Sequence, residues 1–392
     1  MPYLPSAFSR LLEPLDRRMV ARAVDKHGGN RGVGEGDGAW TCQRHLKTLL
    51  FAQVAGLTSL REIAQALAAR PGALYHLGMR PPKRSTLSDA SAARPAEVFA
   101  DVAVALMGTL GRKLRAEAGG LIELIDASPI PLNDERFTWP DHDNRIRGLK
   151  LYAHYDVGAA CPVVFELASP RCPDLAFARK QVLSPGVTYV FDKGFADYGW
   201  WHSICEAEAT FVTRLKANAY RREVEEVAGP FKSPILAVNR LKLGHKKPRG
   251  RAENALYETA LREVVVAREG KAPLVLVTND FARSAHEIAA LYKQRWQIEL
   301  FFKWIKQNLK VKQFWGRSEN AVKTQLYAAL IAFVLLSWLK AKAAASHKGS
   351  LKDLTVRLKS ALLSPIDLTD RYKPPPRPPA LRSPKPQMEL AL

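Results

Sequence analysis

The chain is short of acid. Against 59 Lys and Arg it has only 38 Asp and Glu, a formal net charge of +21. Such a surplus suits a polyanion, and nucleic acid is the first candidate. A membrane surface is the weaker candidate, because no basic amphipathic helix with a lipid-facing flank stands out. Cysteine is scarce too: Cys42, Cys161, Cys172 and Cys205 form no CxxC pair. That excludes a zinc ribbon and a disulfide framework, and it fits a reducing cytosol. His202 and Cys205 have ligand-like spacing on a helix, but they read as a half-buried pair without metal. No long apolar run is present. The longest, Leu326 to Leu339 between Lys323 and Lys340, falls short of the about 20 residues a membrane span needs, and a buried core helix is expected. The start of the chain mixes Pro2, Pro5, Arg10 and Glu13 with apolar residues, so no signal peptide is read there. What the chain does have is bulk: 392 residues at 47% apolar content. That excludes wholesale disorder and suggests two or three domains.

Residues 1–115 read as helical. Leu11, Leu15, Met19 and Val20 share one face, a glycine-rich stretch from Gly28 to Gly38 interrupts, and Leu46, Leu49, Leu50 and Val54 resume the period up to Gly56. Ser59 is a candidate cap with Glu62 as its capping-box partner. Helix, glycine, helix, then the basic segment Arg80 to Thr86, is compatible with a helix-turn-helix reader, though generic helix pairs look the same. After Gly119-Gly120 the pattern becomes strand-like. Leu121–Asp126, Leu149–Val157 and Val163–Ala168 read as strands, Asp174–Val182 as a helix, Val187–Asp192 as a strand, Asp197–Ala207 as a helix and Thr210–Leu215 as a strand. Three consecutive strands suggest an antiparallel meander and the helical crossovers suggest parallel pairing, so a mixed α/β sheet is expected. Residues 217–277 interrupt it. From Thr213 to Arg251 there are eleven Lys or Arg against three Glu, and Leu236–Leu243 and Tyr257–Ala267 alternate like strands. Leu274–Thr278 is a further strand, and Ser284 starts a long helix. Residues 346–392 are basic and helical at first, then end in a tail with seven prolines after Tyr372, expected to be extended.

Chemistry is carried by three isolated acids. Asp126 and Asp192 each follow an apolar strand. Glu299 lies on the late helix, where Tyr292, Arg295, Lys303, Lys306 and Lys310 fall within about 40° of it at 100° per residue. Leu291, Ile298, Phe302, Ile305 and Leu309 form the adjoining apolar stripe. Each feature has a bland alternative. The helix can be an i,i+4 ladder of solvated ion pairs, and both aspartates sit in sequences that suit turns. Taken together and in this order, they point to carboxylates converging from separate elements on divalent metal, as two-metal phosphodiester chemistry requires. An oxygen-only donor set suits magnesium or manganese rather than zinc.

The same residues carry a specific resemblance. Tyr292, Arg295, Glu299 and Lys306 fill the Tyr-x2-Arg-x3-Glu-x6-Lys signature without a gap. Ile125-Asp126-Ala127-Ser128, Phe191-Asp192-Lys193-Gly194-Phe195 and Phe314 to Val322 match as flanking segments. The chain resembles bacterial insertion-sequence transposases of the DDE type, in the IS-four group, firmly over about residues 120–340. Arg84-Ser85-Thr86-Leu87-Ser88-Asp89 extends the likeness more loosely towards the N-terminus.

The resemblance implies a ribonuclease-H-like mixed sheet with a β-rich insertion between the second aspartate and the glutamate, preceded by a helical N-terminal DNA-binding domain. The boundaries implied are 1–115, then 116–216 with 278–345 as catalytic core, 217–277 as the insertion, and 346–392. It implies a cytoplasmic, nucleoid-associated enzyme that binds terminal inverted repeats as a homodimer on paired ends, cleaves double-stranded DNA and joins 3′-hydroxyls to target DNA. Asp126, Asp192 and Glu299 would hold Mg2+ or Mn2+. Tyr292, Arg295, Trp296, Lys306 and, less directly, Lys303 would contact DNA. Lys150, His154, Arg84 and the basic insertion are expected as further DNA contacts. Relatives that form hairpins trap a base with aromatics, one a tryptophan in the insertion. Here no tryptophan lies between Trp201 and Trp296, which leaves Tyr220, Phe231 and Tyr257 for that task. A nuclease without strand transfer and a DNA-binding relic are the competing readings.

Overall fold

The computed structural model describes residues 5–36, 38–115, 121–143, 146–248, 252–308, 313–343 and 349–364. Lys310, Leu309, Arg251, Gly119-Gly120 and the proline-rich tail lie outside the described residues.

The N-terminal region is helical, as the periodicity predicts: α1 (Ala7–Leu11), α2 (Arg17–His27), α3 (Cys42–Ala55), α4 (Leu60–Ala68), α5 (Pro71–Tyr75), α6 (Arg84–Ala93) and α7 (Ala96–Arg115). Capping chemistry sets most of these ends. Asp16, Thr41 and Ser59 side chains accept from backbone N–H groups of the first turn, and Gly28 and Gly56 close α2 and α3 in the left-handed conformation. Glu62 departs from the capping-box expectation, because its carboxylate takes the Thr58 N–H at 2.6 Å rather than that of Ser59. α3 packs against the C-terminal helices, while α4 packs against α6.

The rest is a single nine-stranded mixed sheet. Its strands are β1 (Ile122–Pro131), β2 (Gly148–Asp156), β3 (Cys161–Ala168), β4 (Thr188–Phe191), β5 (Thr210–Arg214), β6 (Arg221–Glu226), β7 (Ile235–Leu243), β8 (Leu261–Arg268) and β9 (Lys271–Thr278). The spatial order is β3-β2-β1-β4-β5-β9-β8-β7-β6. β1, β2 and β3 form the expected antiparallel meander, and β4 and β5 join parallel through α8 (Asp174–Lys180) and α9 (Tyr198–Glu206). The first five strands in this order make the ribonuclease-H-like core. β9 pairs antiparallel with β5, so the basic segment extends the same sheet instead of forming a separate one.

Two sequence expectations are corrected here. β6 went unread because Arg-Arg-Glu-Val-Glu-Glu offers one apolar side chain; an exposed edge strand buries no face and so shows no period. The Tyr257–Ala267 strand begins only at Leu261.

Side-chain alternation divides the core into two layers. Leu124, Val190, Val212 and Ala153 face α7 and the C-terminal helices α10 (Ala285–Gln294), α11 (Trp296–Asn308) and α12 (Glu319–Lys342), with α13 (Leu351–Ala361) beyond. Ile125, Tyr152, Tyr189, Phe191 and Phe211 face α8 and α9 on the other side. α12 holds the Leu326–Leu339 run. It is long and apolar enough to cross a membrane, but it is enclosed by protein on all sides as the core helix expected from the sequence. Enclosure on every side explains why its apolar residues show no preferred face.

Candidate active site

Strand register brings the first two acids together. β1 and β4 run parallel with Ile125 opposite Phe191, so Asp126 and Asp192 follow side by side on neighbouring strands. Neighbouring strands lie about 4.8 Å apart. Asp126 has the parity of Leu124 and Asp192 that of Val190, so both carboxylates point to the layer occupied by α10–α12. Asp126 does not end its strand as expected; β1 continues to Pro131, and it is β4 that stops at Phe191.

Glu299 comes from α11, which packs over β1. The single long helix expected from Ser284 is in fact two. Ser284 caps α10 with Glu287 as a true capping box. At Arg295 the ladder then tightens: Arg295 N–H bonds Tyr292 O at 3.1 Å and Ile298 N–H bonds Arg295 O at 3.3 Å, both i→i−3. The break redistributes the stripe that a continuous helix would show. Tyr292 turns to Asp192, donating its hydroxyl to Oδ1 at 3.2 Å. Arg295 reaches Asp126 Oδ2 at 3.4 Å through Nη1 and donates to Glu299 Oε1 through Nη2.

The groups also act on one another through their charge. Burial pushes the Asp126 carboxyl up to about 6; the Ala127 N–H and Arg295 pull it down, while Asp192 and Glu299 push it up. The Tyr292 hydroxyl is raised to about 12, first by burial. Burial lowers the Lys306 ammonium, and Asp126 opposes that shift, so Lys306 faces the same cluster. Arg214 at the end of β5 adds a cation 3.8 Å from Asp192 Oδ1.

The remaining expected residues divide. Lys303 is exposed on α11, and Trp296 stands 59% exposed with Leu300 beside it one turn on, so neither is packed into a neighbouring element. Arg84 opens α6 in the N-terminal half, outside the cluster. Lys150 and His154 stand apart from the carboxylates. Both have the opposite parity from Asp126 and face α8. Lys150 bonds Asp174 Oδ1 and Cys172 O at 3.0 Å each. His154 is 2% exposed and sits 3.1 Å from Glu123. His154 is thus buried and Lys150 partly so, both paired on the face of the sheet opposite the carboxylates. His202 lies near Glu206, and Cys205 receives the Asn279 amide. The sequence reading did not single out the cleft of about 580 Å³ beside Asp192, lined by Lys193, Arg214, Lys216, Arg221 and Arg268. Lys193 follows the second acid directly and Arg214 ends the parallel neighbour of its strand, which was the available signal.

Donor chemistry and charge fit divalent metal. Three carboxylates lie near enough to act on one another's charge, burial leaves Asp126 reluctant to ionise, and a cation would relieve that. Among the described residues no three such side chains close into a ready-made metal cluster. The Arg295 guanidinium stands between two of them and supplies the positive charge.

Known proteins share features with this chain. Residues 118–335 match the model of the Transposase DDE domain, whose members work with divalent metal ions. Residues 5–80 match a Domain of unknown function (DUF4372). The chain is 37% identical over 310 residues to the protein of Sinorhizobium fredii named as transposase y4zB, covering 78% of this chain and 84% of the relative. It is 26% identical over 342 residues to a Geobacillus stearothermophilus protein named as the transposase of insertion sequence element IS5377, covering 86% and 84%. Among solved structures, a piggyBac transposase synaptic complex with hairpin DNA aligns at a TM-score of 0.48 and 10% identity, over 91% of this chain and 80% of that one. The chain belongs to the DDE-domain transposases of bacterial insertion sequences.

Proposed function

We propose that this transposase binds the terminal inverted repeats of its element, cleaves DNA at their boundaries and joins the freed 3′-hydroxyls to target DNA. The observation that carries the reading is the convergence of Asp126, Asp192 and Glu299 from two strands and a helix, with Tyr292, Arg295 and Lys306 turned onto them. The three carboxylates would hold Mg2+, with Mn2+ as a substitute. Such ions supply activation of the attacking oxygen and stabilisation of the leaving one. Arg295 positions Asp126 and Glu299 relative to each other, and Tyr292 does the same for Asp192. With Lys306 they offer donors to the phosphates beside the cut, and Trp296 and Lys303 extend that face along α11. The cleft beside Asp192 continues the cationic surface toward β6–β9, where the basic segment would hold backbone phosphates in a salt-sensitive way. On this reading 1–115 serves DNA binding, 116–216 with 278–345 catalysis, and 217–277 is an insertion that prolongs the catalytic sheet. A homodimer would hold the two ends.

The test is cleavage of a labelled duplex carrying the element's own terminus, with Mg2+ and with EDTA. Magnesium-dependent breakage at the repeat boundary supports the proposal. Glu299→Gln is expected to abolish that cleavage, about a thousandfold or more given a lost metal ligand, while end binding stays near wild type. Loss of binding together with cleavage would make Glu299 a structural residue. Cleavage without joining of precut ends would leave a nuclease.

A further inference from the structure

The strand that carries Asp126 does not stop at the carboxylates. β4 pairs with β1 only from Ile122 to Ile125, whereas β2 pairs with it from Glu123 to Pro131. From Asp126 onward the β1–β2 hairpin therefore runs past β4 as a two-stranded arm. Two strands alone are marginal in water, so such an arm needs packing to keep its shape. Ile130 and Leu132 supply it, each 1% exposed within the layer that holds α11 and α12.

The tip of the arm is ordered by its own bonds. Leu132 N–H bonds Arg147 O at 2.8 Å, Gly148 N–H bonds Asp141 O at 3.0 Å, and the Arg147 guanidinium donates to Phe137 O. Arg171, just past β3, donates to His142 O at 2.8 Å. Phe137 and Trp139 then reach across to the segment between α11 and α12. Phe137 lies edge-on to Phe314 at 6.0 Å, and Trp139 Nε1 donates to Arg317 O at 2.8 Å. That segment is itself fixed to α12, since Trp315 N–H donates to Oε1 of the buried Gln325 at 2.9 Å. Gly316 approaches α12 so closely that a Cβ would lie 2.6 Å from Ala321 Cβ.

We infer that this arm is a strap that holds the strand of Asp126 against the helix of Glu299, and that Trp139 is the positioning residue that closes it. The inference rests on the reading of Asp126, Asp192 and Glu299 as metal ligands and adds what keeps them at a working separation. Within the cluster, Arg295 joins Asp126 to Glu299 by charge. That tie is conditional, because a divalent cation supplies the same charge and phosphates compete for the guanidinium. The strap uses an indole N–H, a backbone carbonyl and ring packing, which neither a cation nor a phosphate displaces. Arg295 sits at the start of α11 and the strap meets the chain beyond its end, so the helix is held to β1 at both ends. Such double restraint matters because a functional constellation must be held to about 0.5 Å.

The experiment compares the full chain with Trp139→Phe, which keeps a ring in place and removes the indole N–H. Mn2+ binding to the DNA-free protein is followed by the electron paramagnetic resonance of free Mn2+. Thermal unfolding and cleavage of a duplex copied from the element's end, across a Mn2+ series, accompany it. Trp139→Phe is expected to melt within a few degrees of the wild type and to bind Mn2+ about tenfold more weakly, as when a ligand's support is lost. Its cleavage is expected to be slow at low Mn2+ and to approach the wild-type rate at saturation, a rescue that a folding defect would not show. Phe314→Leu, which thins the ring contact at the same closure, is a second variant with the same expectation. His45→Asn, a change in the N-terminal core, is expected to keep wild-type Mn2+ affinity. Wild-type Mn2+ affinity in either closure variant overturns the strap, as does an affinity that falls in step with melting temperature in all three variants. A wild-type chain that binds no Mn2+ would sink the metal-site reading itself, a result distinguishable from failure of the strap.

Discussion

Arg295 offers the sharpest test of how the carboxylate cluster is balanced. Its guanidinium spans Asp126 and Glu299 and is 20% exposed, against 22% and 34% for the two acids. Removing one partner from a fully buried ion pair costs about 3–5 kcal/mol. These groups retain some solvent, so the figure for Arg295→Gln falls to about 2 kcal/mol. Asp126 bears a cost already. With its pKa at about 6 against an ordinary 3.8, holding it ionised in neutral solution costs about 3 kcal/mol. The sign follows from that direction: the folded form binds more protons than the unfolded one between those values, so this contribution lowers stability as pH rises through the window. Losing Arg295 removes a downward pull and moves the Asp126 pKa higher still.

A divalent cation would substitute for the missing charge. At a hundredfold excess over its dissociation constant, a ligand adds about 2.7 kcal/mol to the folded state, enough to offset the substitution. The assay is thermal unfolding at pH 7.5 with and without Mn2+. Without metal, Arg295→Gln is expected to melt a few degrees below wild type. With Mn2+ its melting temperature is expected to rise by more than that of the wild type, because the metal no longer competes with a guanidinium. Equal metal-induced shifts in the two proteins would refute the reasoning and place Arg295 outside the electrostatics of the cluster.

Two further outcomes test the scaffold. His45 is fully buried, 3.1 Å from Ser91 Oγ and edge-on to Phe99, and burial with nearby Arg94 lowers its pKa to about 3 from 6.5. The neutral ring is therefore the folded form; its contribution is complete above pH 6.5 and falls by about 2 kcal/mol between pH 7 and pH 5. Urea denaturation should show that decline in wild type and a flatter profile in His45→Asn, while matching slopes would refute it. At Gly148, a Cβ would lie 2.1 Å from Ile130 O on the adjacent strand. Backbone cannot yield as a flexible side chain does, so Gly148→Ala is expected to lower stability by about 3 kcal/mol in the same assay. A neutral result would mean that β1 and β2 separate easily at that point.

Much of this protein was settled by its sequence alone. Apolar runs that end on Asp126 and Asp192, helical periods before Gly56 and the unbroken stripe of α12 are local patterns, and local patterns survive without knowledge of their partners. The spacing of Tyr292, Arg295, Glu299 and Lys306 was legible for the same reason, since it is a property of the chain. Tertiary structure decided the rest. Only the parallel register of β1 and β4 puts the two aspartates side by side, and only side-chain parity sends Lys150 and His154 to the other face. The tightening at Arg295 turned one expected stripe into three separate contacts, because its guanidinium meets two acids there, one from a distant strand. β6 stayed invisible, since an exposed edge strand is specified by the neighbour it pairs with rather than by a face it buries.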